Sequence, residues 1–300
     1  MTLVVIGGAT ATGKSDLAVA LAKRIGGEIV NADSMQLYRG MDIGTAKLTE
    51  DEREGIPHHL LDVVDVSTDV NVAWYQEQAR GVIDALLAGG KPVIVVGGTG
   101  FYIKAILDDL NFPDTDPAVR EKLTLEAEKI GGDALHQRLG ILDPAAAAAI
   151  PRENVRRVIR ALEVIEITGK PFTANLPREN STKYPDALQF GLTMDRESLD
   201  ARVDLRVDRM FIHGLVEEVK ALIEKGLLEG KTARAALGYA QVISMLDGDI
   251  SLEQAISDTK LATRQYVRRQ ETWFRRDQRI SWLDPDSDRL NLIEKAILNA

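Results

Sequence analysis

The sequence predicts the α/β fold class, with a parallel sheet flanked by helices, together with an all-helical insertion. Short runs rich in Val, Leu and Ile recur through the first hundred residues, and helical patterns separate several of them. From about residue 114 the helical patterns follow one another without an obvious strand between them. We therefore expect an α/β core with C-terminal helices, made of residues 1–113 and 188–300, and a helical insertion made of residues 114–187.

The individual elements follow from local patterns read in chain order. The runs that predict strands are TLVVI (2–6), EIVNA (28–32), HLLDVV (59–64), PVIVVGG (92–98), LQFGLTM (188–194) and ISWLD (280–284). Helical patterns lie at 16–25, at 72–90, where a Gly-Gly pair ends the helix, and at 114–132, 133–150 and 154–170. Further helices are predicted between the fifth strand and residue 279, and after the last strand. The polar stretch 173–186 is expected to be a loop.

Composition narrows the classes of protein and of site. With 45% hydrophobic and 28% charged residues, the 300-residue chain has the balance of a soluble globular protein. It has no cysteine, which excludes disulfides, thiolate-zinc sites and cysteine nucleophiles, and its histidines lack metal-ligand spacing (His58, His59, His136 and His213). The N-terminal apolar run is too short for a signal peptide, and no segment approaches the roughly 20 apolar residues of a membrane span. We expect a cytoplasmic monomer that does not enter a membrane.

The stretch GATATGKS matches the phosphate-binding pattern G-x-x-x-x-G-K-[ST] and lies between a predicted strand and a predicted helix. In such a P-loop the glycines let the backbone wrap a phosphate, and N–H groups at the helix start point at the anion. The lysine adds positive charge, and the Ser15 hydroxyl can hold Mg²⁺, which is the predicted cofactor. The predicted phosphate-binding residues are Gly8, Ala9, Thr10, Ala11, Thr12, Gly13, Lys14 and Ser15.

Asp33 directly follows the second predicted strand, and the carboxyl ends of strands line the ligand crevice of open α/β sheets. We therefore expect Asp33 to face the phosphate loop. Three roles suit a carboxylate at this position: taking a proton from an incoming nucleophile, holding Mg²⁺, or capping a helix started by SMQLY.

Thr99 follows a second glycine turn, in VVGGTGFYIKAIL, and precedes a predicted helix. Its hydroxyl is suited either to bind a substrate oxygen or to cap that helix. The neighbouring aromatic residues, Phe101 and Tyr102, are expected in the core.

Several motifs together resemble the tRNA dimethylallyltransferase family, and the likeness spans nearly the whole chain. They are GATATGKS, NADSMQLYRGMDIGTAK, PHHLLD, VVGGTGFYIKA and RRVIRALEV. The resemblance implies transfer of a dimethylallyl group from dimethylallyl diphosphate to the exocyclic amine of adenosine 37, in the anticodon stem-loop of tRNA. It also implies that the P-loop holds the diphosphate of this donor, rather than the phosphates of ATP.

By the same resemblance, Asp33 is the general base and Thr99 contacts the acceptor, so these two residues are the predicted catalytic pair. The resemblance also implies residues that bind tRNA. These are Asp33, Ser34, Met35, Gln36, Thr99, Arg120, Arg156, Arg157, Arg160, Gly238, Tyr239 and Gln241.

Although the chain carries a formal net charge of −9, residues 260–279 hold seven basic and two acidic residues. The basic residues are Lys260, Arg264, Arg268, Arg269, Arg275, Arg276 and Arg279. This segment is suited to RNA, although a solvated helix face is the simpler alternative. Trp273 and Phe274 are expected to be buried rather than stacked on bases. We also hypothesise that residues 114–187 form a mobile arm that closes over RNA.

Three other functions remain open at the sequence level. An adenylate isopentenyltransferase would alkylate free AMP, ADP or ATP. A small-molecule kinase would use the same loop for phosphoryl transfer. A non-catalytic RNA binder would not need Asp33 for chemistry.

Overall fold

The chain divides into two units in the computed structural model, which describes residues 2–175 and 181–300. Unit 1 comprises Met1–Leu107 and Tyr184–Ala300, and unit 2 comprises Asp108–Lys183. Both boundaries lie a few residues before the predicted ones. Of the predicted loop 173–186, residues 176–180 lie outside the described part.

Unit 1 contains the sheet and most of the helices. Its strands are β1 (Leu3–Gly7), β2 (Glu28–Asn31), β3 (His58–His59), β4 (Val93–Gly97), β5 (Leu188–Leu192) and β6 (Ile280–Leu283). Its helices are α1 (Lys14–Ile25), α2 (Val72–Ala88), α3 (Gly100–Leu107), α8 (Arg196–Ile212), α9 (Leu215–Ile223), α10 (Tyr239–Leu246), α11 (Leu252–Phe274) and α12 (Arg289–Leu298). A 3₁₀ turn, Ala233–Ala235, precedes α10.

Within the described residues the sheet has six strands, all paired in parallel, in the order β3-β2-β4-β1-β5-β6. Strand β1 is central, and β4 and β5 pair on either side of it. The order reverses around β1 and β4, and in such sheets ligands bind at the carboxyl ends of the strands where the order reverses. The predicted P-loop-type parallel sheet is therefore confirmed.

The strands are continuous apolar runs because both faces of the sheet are buried. On β1, Leu3 and Val5 pack into one core, whereas Val4 and Ile6 pack into the other. The first core lies against α2, α3, α9 and α10, and the second lies against α1 and α12. This alternation fixes the register of β1, and with it the position of the loop that follows Gly7.

The third strand is much shorter than the sequence predicted. HLLDVV (59–64) was expected as one strand, but only His58–His59 pairs with the sheet. Leu60 and Asp62 have positive φ angles of 60° and 54°, which are incompatible with an extended strand. The chain turns away at that point and touches the sheet region again through a bridge between Val64 and Tyr38.

Unit 2 is helical, as the patterns from residue 114 predicted. It contains α4 (Pro117–Ile130), α5 (Gly132–Leu142), α6 (Pro144–Ala149), α7 (Val155–Thr168) and a 3₁₀ turn (Phe172–Asn175). Its core is formed by one stripe from each helix, including Leu123, Leu135, Ala146, Val158 and Leu162. Among the described residues, no helix of either unit is both long and apolar enough to cross a bilayer.

Candidate active site

The phosphate loop connects β1 to α1 through backbone conformations that few side chains tolerate. Gly13 has a φ of 85° and immediately precedes the first residue of α1, while Ala11 has a φ of 65°. A non-glycine residue in this region is strained, and such strain is concentrated at functional sites. The Lys14 Nζ donates to the Ala9 carbonyl at 2.6 Å, and the Thr12 hydroxyl donates to the same carbonyl at 2.9 Å. The loop is therefore held closed by its own side chains.

A cavity of about 580 Å³ opens at the carboxyl ends of β1, β2 and β4. It is lined by the phosphate loop, by Asp33 after β2, by Gly97 and Gly98 after β4, and by residues of α8. Lys14 and Asp33 therefore face one shared cavity, as the sequence predicted. Ser15 lines it as well, so its hydroxyl can reach a metal ion bound to a phosphate there.

The Asp33 backbone is fixed by Asn31, whose side-chain amide contacts it on two sides. The Asp33 N–H donates to Asn31 Oδ1, and Asn31 Nδ2 donates to the Asp33 carbonyl, both at 2.9 Å. One carboxylate oxygen, Oδ1, accepts the Met35 N–H at 3.0 Å. Over residues 2–175 and 181–300, Oδ2 has no hydrogen-bond partner. Residues 34–37 form bends and turns, and Tyr38 makes the bridge to Val64, so SMQLY starts no helix and helix capping is excluded as the role of Asp33.

Thr99 joins the turn after β4 to the turn after β2. Its hydroxyl accepts the Ser34 N–H at 3.1 Å and lies 3.3 Å from the Ser34 hydroxyl, while its own N–H donates to Ala32. The Thr99 side chain therefore contacts Ser34. Gly97 makes this close approach possible, because a Cβ there would lie 2.2 Å from the Ala32 backbone.

Three charged groups interact at the cavity. Burial lowers the pKa of Lys14 to about 8, against the opposing attraction of Asp33, and the positive charge of Arg206 lowers it further. Arg206 donates to the Thr10 hydroxyl at 3.0 Å and to the Thr45 carbonyl at 3.2 Å. Burial also lowers the pKa of Arg206, although an arginine keeps its charge in proteins. Lys14 and Arg206 thus both interact with Asp33, and the two cations make this part of the cavity suited to an anion.

Gln270 of α11 bridges the two glycine turns of the site. Its Oε1 accepts the Thr10 N–H at 2.9 Å, and its Nε2 donates to the Gly98 carbonyl at 2.8 Å. The side chain is buried, and a Cβ on Gly98 would lie 2.3 Å from its amide nitrogen. The phosphate loop therefore depends on a helix near the far end of the chain.

Glu218 of α9 holds the segment that forms the opposite wall of the cavity. Its carboxylate accepts the N–H groups of Asp42, Ile43 and Gly44 at 3.1, 2.7 and 3.2 Å, and the Tyr239 hydroxyl donates to it at 2.5 Å. Burial, together with the charge of Glu218, raises the pKa of Tyr239. The Tyr239 ring is fully buried and supports this wall, so it is not available to contact tRNA from the surface.

Lys47 and Gln36 also hold this wall in place. The buried Lys47 Nζ donates to the Tyr38 carbonyl and forms ion pairs with Asp42 and Asp62 at 2.7 and 2.5 Å. The predicted tRNA-binding residue Gln36 donates to the Thr45 carbonyl at 3.1 Å. Nearby, the N–H of Gly238 donates to Gln241 at 2.8 Å.

The predicted tRNA-binding arginines of unit 2 fall into two groups. Arg120 and Arg160 form ion pairs with the fully buried Glu163 at 2.7 and 2.9 Å. Arg156 and Arg157 are exposed, and no carboxylate in the described residues pairs with them. Arg120 and Arg160 therefore have a structural role within unit 2. Arg156 and Arg157 are available to bind an anion.

Two predicted core aromatic residues are exposed. Trp273 and Phe101 are 41% and 42% accessible, so the expectation that they are buried was wrong, whereas Tyr102 and Phe274 are buried as expected. Trp273 precedes Phe274 on α11 and therefore points about 100° away from it. The core-facing direction is taken by Phe274, whose ring fills the space beside Gly7.

Several residues of this site were missed at the sequence level, among them Arg206, Gln270 and Glu218. Arg206 and Glu218 lie in ordinary amphipathic patterns and give no local signal. Gln270 does give one, because it occupies a buried position between Val267 and Phe274, where helical spacing predicts an apolar side chain. A buried amide at such a position needs partners, which points to a contact across the fold.

Comparison with known proteins shows which family the sequence resembles. The model of the family described as IPP transferase matches residues 36–277. A protein from Streptomyces coelicolor named tRNA dimethylallyltransferase is 56% identical over 281 residues, covering 94% of this chain and 89% of the relative. A protein of the same name from Thermobifida fusca is 55% identical over 300 residues, covering 98% of this chain and 93% of the relative.

Solved structures of tRNA-modifying transferases are also similar to this chain. The tRNA isopentenylpyrophosphate transferase of Bacillus halodurans is 41% identical with a TM-score of 0.72, covering 99% of this chain and 95% of that one. A eukaryotic dimethylallyltransferase described as acting on tRNA is 30% identical with a TM-score of 0.83, covering 99% and 77% of the two chains. Because the family match covers most of the sequence and the relatives are more than half identical, this chain belongs to the IPP transferase family.

Proposed function

We propose that this protein transfers a dimethylallyl group from dimethylallyl diphosphate to the N6 amine of adenosine 37 of tRNA, releasing diphosphate. The observation that carries the proposal is the single cavity shared by the phosphate loop and Asp33. In it, cationic groups that suit a diphosphate face a carboxylate that suits a proton acceptor. The relatives named tRNA dimethylallyltransferase support the same reaction.

The donor end of the reaction is the breaking of the bond between the allylic carbon and the diphosphate oxygen. The bonding electrons leave with the diphosphate, so negative charge grows on the leaving group. Lys14, Arg206 and the N–H groups at the start of α1 are placed around the cavity to stabilise that charge. Because these groups are fixed before the donor arrives, little reorganisation is needed as the bond breaks.

The acceptor end is the formation of a bond between the adenine N6 and the same carbon. This amine is a weak nucleophile because its lone pair is delocalised into the ring. As the new bond forms, the N6 proton passes to the free Asp33 Oδ2, which restores a neutral amine. Ser34 directly follows Asp33 and donates its N–H to the Thr99 hydroxyl, so Thr99 lies close enough to Asp33 to orient the adenine.

A divalent ion suits this diphosphate chemistry, and we propose Mg²⁺ held by the Ser15 hydroxyl together with donor oxygens and water. In the described residues no group of three or more His, Asp or Glu side chains could hold a metal. Mg²⁺ fits such a place, because it commonly binds through one or two protein ligands and substrate phosphates. Bound there, it would neutralise charge on the leaving group.

The test is an acceptor comparison with labelled dimethylallyl diphosphate and Mg²⁺. We expect label in an anticodon stem-loop with adenosine at position 37, and none in the matched stem-loop with guanosine there. Label in AMP, ADP or ATP instead of RNA would replace this function with that of an adenylate isopentenyltransferase. Consumption of ATP with a small hydroxyl acceptor would replace it with a kinase function.

We also propose that unit 2 binds the tRNA, through the exposed Arg156 and Arg157 at the start of α7. Limited trypsin digestion tests this, because basic residues in contact with RNA are shielded from the protease. We expect tRNA to slow cleavage within unit 2. Equal cleavage rates with and without saturating tRNA would contradict the proposal.

A further inference from the structure

Gln270 places a polar amide on the buried face of α11, where its neighbours along the helix are apolar. Val267, three residues before it, and Phe274, four residues after it, are both buried. Only 4% of Gln270 is exposed, so both polar groups of its amide need hydrogen-bond partners inside the protein. An apolar side chain would serve packing equally well, so the role of the amide lies in its two contacts.

These two contacts join the donor side of the cavity to the turn after β4. Oε1 accepts the N–H of Thr10 in the phosphate loop at 2.9 Å, and Nε2 donates to the Gly98 carbonyl at 2.8 Å. A Cβ on Gly98 would lie 2.3 Å from Nε2, so only glycine leaves room for the amide there. One side chain therefore holds two separate backbone segments at a fixed spacing.

Each of the two segments continues to a group that serves the proposed reaction. On the donor side, the Thr10 hydroxyl accepts a hydrogen bond at 3.0 Å from Arg206, which lines the cavity. On the acceptor side, the turn continues into Thr99, whose hydroxyl accepts the N–H of Ser34 at 3.1 Å. The amide of Gln270 thus lies between the diphosphate-binding groups and the group suited to orient the adenine.

Tyr266, about one turn before Gln270 on the same helix, adds a second connection to the acceptor side. Burial and the charge of Asp33 raise the pKa of Tyr266 to about 12, while hydrogen bonding with the Thr99 and Gln270 side chains opposes this rise. The phenol therefore lies among the groups that Gln270 connects.

We propose that Gln270 is a positioning residue that couples the donor loop to the acceptor side of the cavity. The proposal rests on the proposed function. A diphosphate that binds the phosphate loop restricts Thr10, and through Gln270 it also restricts the turn that carries Thr99. The acceptor then loses less conformational entropy when it binds, so the donor raises the affinity for the acceptor. Such coupling is reciprocal, so the acceptor raises the affinity for the donor by the same factor.

Hydrogen exchange tests the coupling without RNA. Saturating inorganic pyrophosphate should slow exchange of the Ser34 N–H, which Thr99 holds on the acceptor side. In Gln270→Met, whose side chain has a similar length but forms neither amide contact, pyrophosphate should leave this exchange rate unchanged. Gln265→Met changes an exposed glutamine of the same helix and should behave as the parent does.

The second measurement is the affinity for an anticodon stem-loop with and without saturating pyrophosphate. Coupling between two sites typically changes an affinity by about 5- to 150-fold, so pyrophosphate should lower the Kd of the parent by at least about fivefold. In Gln270→Met this factor should fall below roughly two. The stem-loop should lower the Kd of pyrophosphate by the same factor in each protein.

Gly98→Ala disturbs the same contact from its other end, because the added Cβ would displace Nε2 of Gln270. This variant leaves the sequence of α11 unchanged, so it tests the contact independently of any effect of Gln270→Met on that helix. We expect it to lose the coupling as well.

The outcomes separate this inference from the proposed function. If Gln270 only stabilises the fold, Gln270→Met will bind both ligands more weakly, but pyrophosphate will change the stem-loop Kd by the parent's factor. That result, or a parent without coupling, would overturn the inference and leave the proposed function standing. If the parent labels AMP and no RNA, the proposed function fails, whereas the exchange rate at Ser34 still decides the role of Gln270.

Discussion

Within the described residues, one carboxylate oxygen of Asp33 accepts a hydrogen bond and the other accepts none. Oδ1 is held by the Met35 N–H, and Asn31 fixes the backbone on both sides, so the position of the carboxylate does not depend on substrate. Such prior positioning is what a proton acceptor needs, because a misplaced base loses most of its effect.

Asp33→Asn should separate chemistry from donor binding. Asparagine keeps the shape and an oxygen for the Met35 N–H but does not take a proton, so we expect the transfer rate to fall by roughly 10²- to 10⁴-fold. Pyrophosphate should bind at least as tightly as to the parent, because a negative charge that opposes the anion has been removed. Single-turnover kinetics measures the transfer rate, and calorimetry measures pyrophosphate binding.

Asp65→Asn, at an exposed ion pair with Arg39, is the control. A rate within tenfold of the parent would refute the role of Asp33.

At the scale of elements, the cavity wall formed by residues 40–47 has no regular secondary structure of its own. Its backbone N–H groups depend on Glu218 of α9, and its interior depends on Lys47. Gly44 lies so close to Tyr239 that a Cβ would come within 2.4 Å of the ring. The position of this wall is therefore fixed by its contacts with α9 and α10.

Glu218→Gln should loosen this wall. An amide replaces one of the two accepting oxygens, and the loss of hydrogen bonds to a charged group should reduce the free energy of unfolding by about 1–3 kcal/mol. Hydrogen exchange at Asp42, Ile43 and Gly44 should accelerate. Glu217→Gln, at an exposed position on the same turn, is the matched control and should change neither quantity. Equal exchange rates in the two variants would show that Glu218 does not hold the wall.

The elements differ in how far sequence could predict them. The phosphate loop was predictable because its glycines, and the contacts of Thr12 and Lys14 with Ala9, all lie within one short motif. Glu218 contacts Gly44 across 174 positions, and Arg206 contacts Thr10 across 196. Such pairs leave no spacing pattern, since only the packing of the helices brings them together. The predicted third strand ends early because Leu60 and Asp62 have positive φ angles. The local sequence does not predict these angles.

At the scale of the whole molecule, the two units have separate cores and can be followed separately. All three tryptophans, Trp74, Trp273 and Trp282, belong to unit 1. Tryptophan emission therefore reports on unit 1, whereas far-UV circular dichroism reports on the helices of both units.

Glu163→Gln should destabilise unit 2 in a pH-dependent manner. Burial raises the pKa of Glu163, but hydrogen bonds from Arg120 and Arg160 outweigh this, and the pKa lies below its usual value. A carboxyl with a lowered pKa stabilises the folded state above its ordinary pKa of about 4.3, and this contribution is lost as the pH falls below that value. At pH 7 the variant should lose helix at lower urea concentration than the parent, without an equal shift in tryptophan emission. The difference should shrink towards pH 3.

Glu128→Gln provides the control for this experiment, because Glu128 is exposed on α4 of the same unit. It should match the parent at every pH. A difference between Glu163→Gln and the parent that is equally large at pH 7 and pH 3 would show that the charge of Glu163 is not what stabilises unit 2.

The amide bridge of Gln270 connects parts of the chain that are made at very different times. Thr10, in the phosphate loop, and Gln270 are 260 positions apart. While the ribosome is still synthesising the protein, the loop emerges early and lacks this partner until α11 has followed it. The phosphate loop therefore gains this support only after nearly the whole chain has been synthesised.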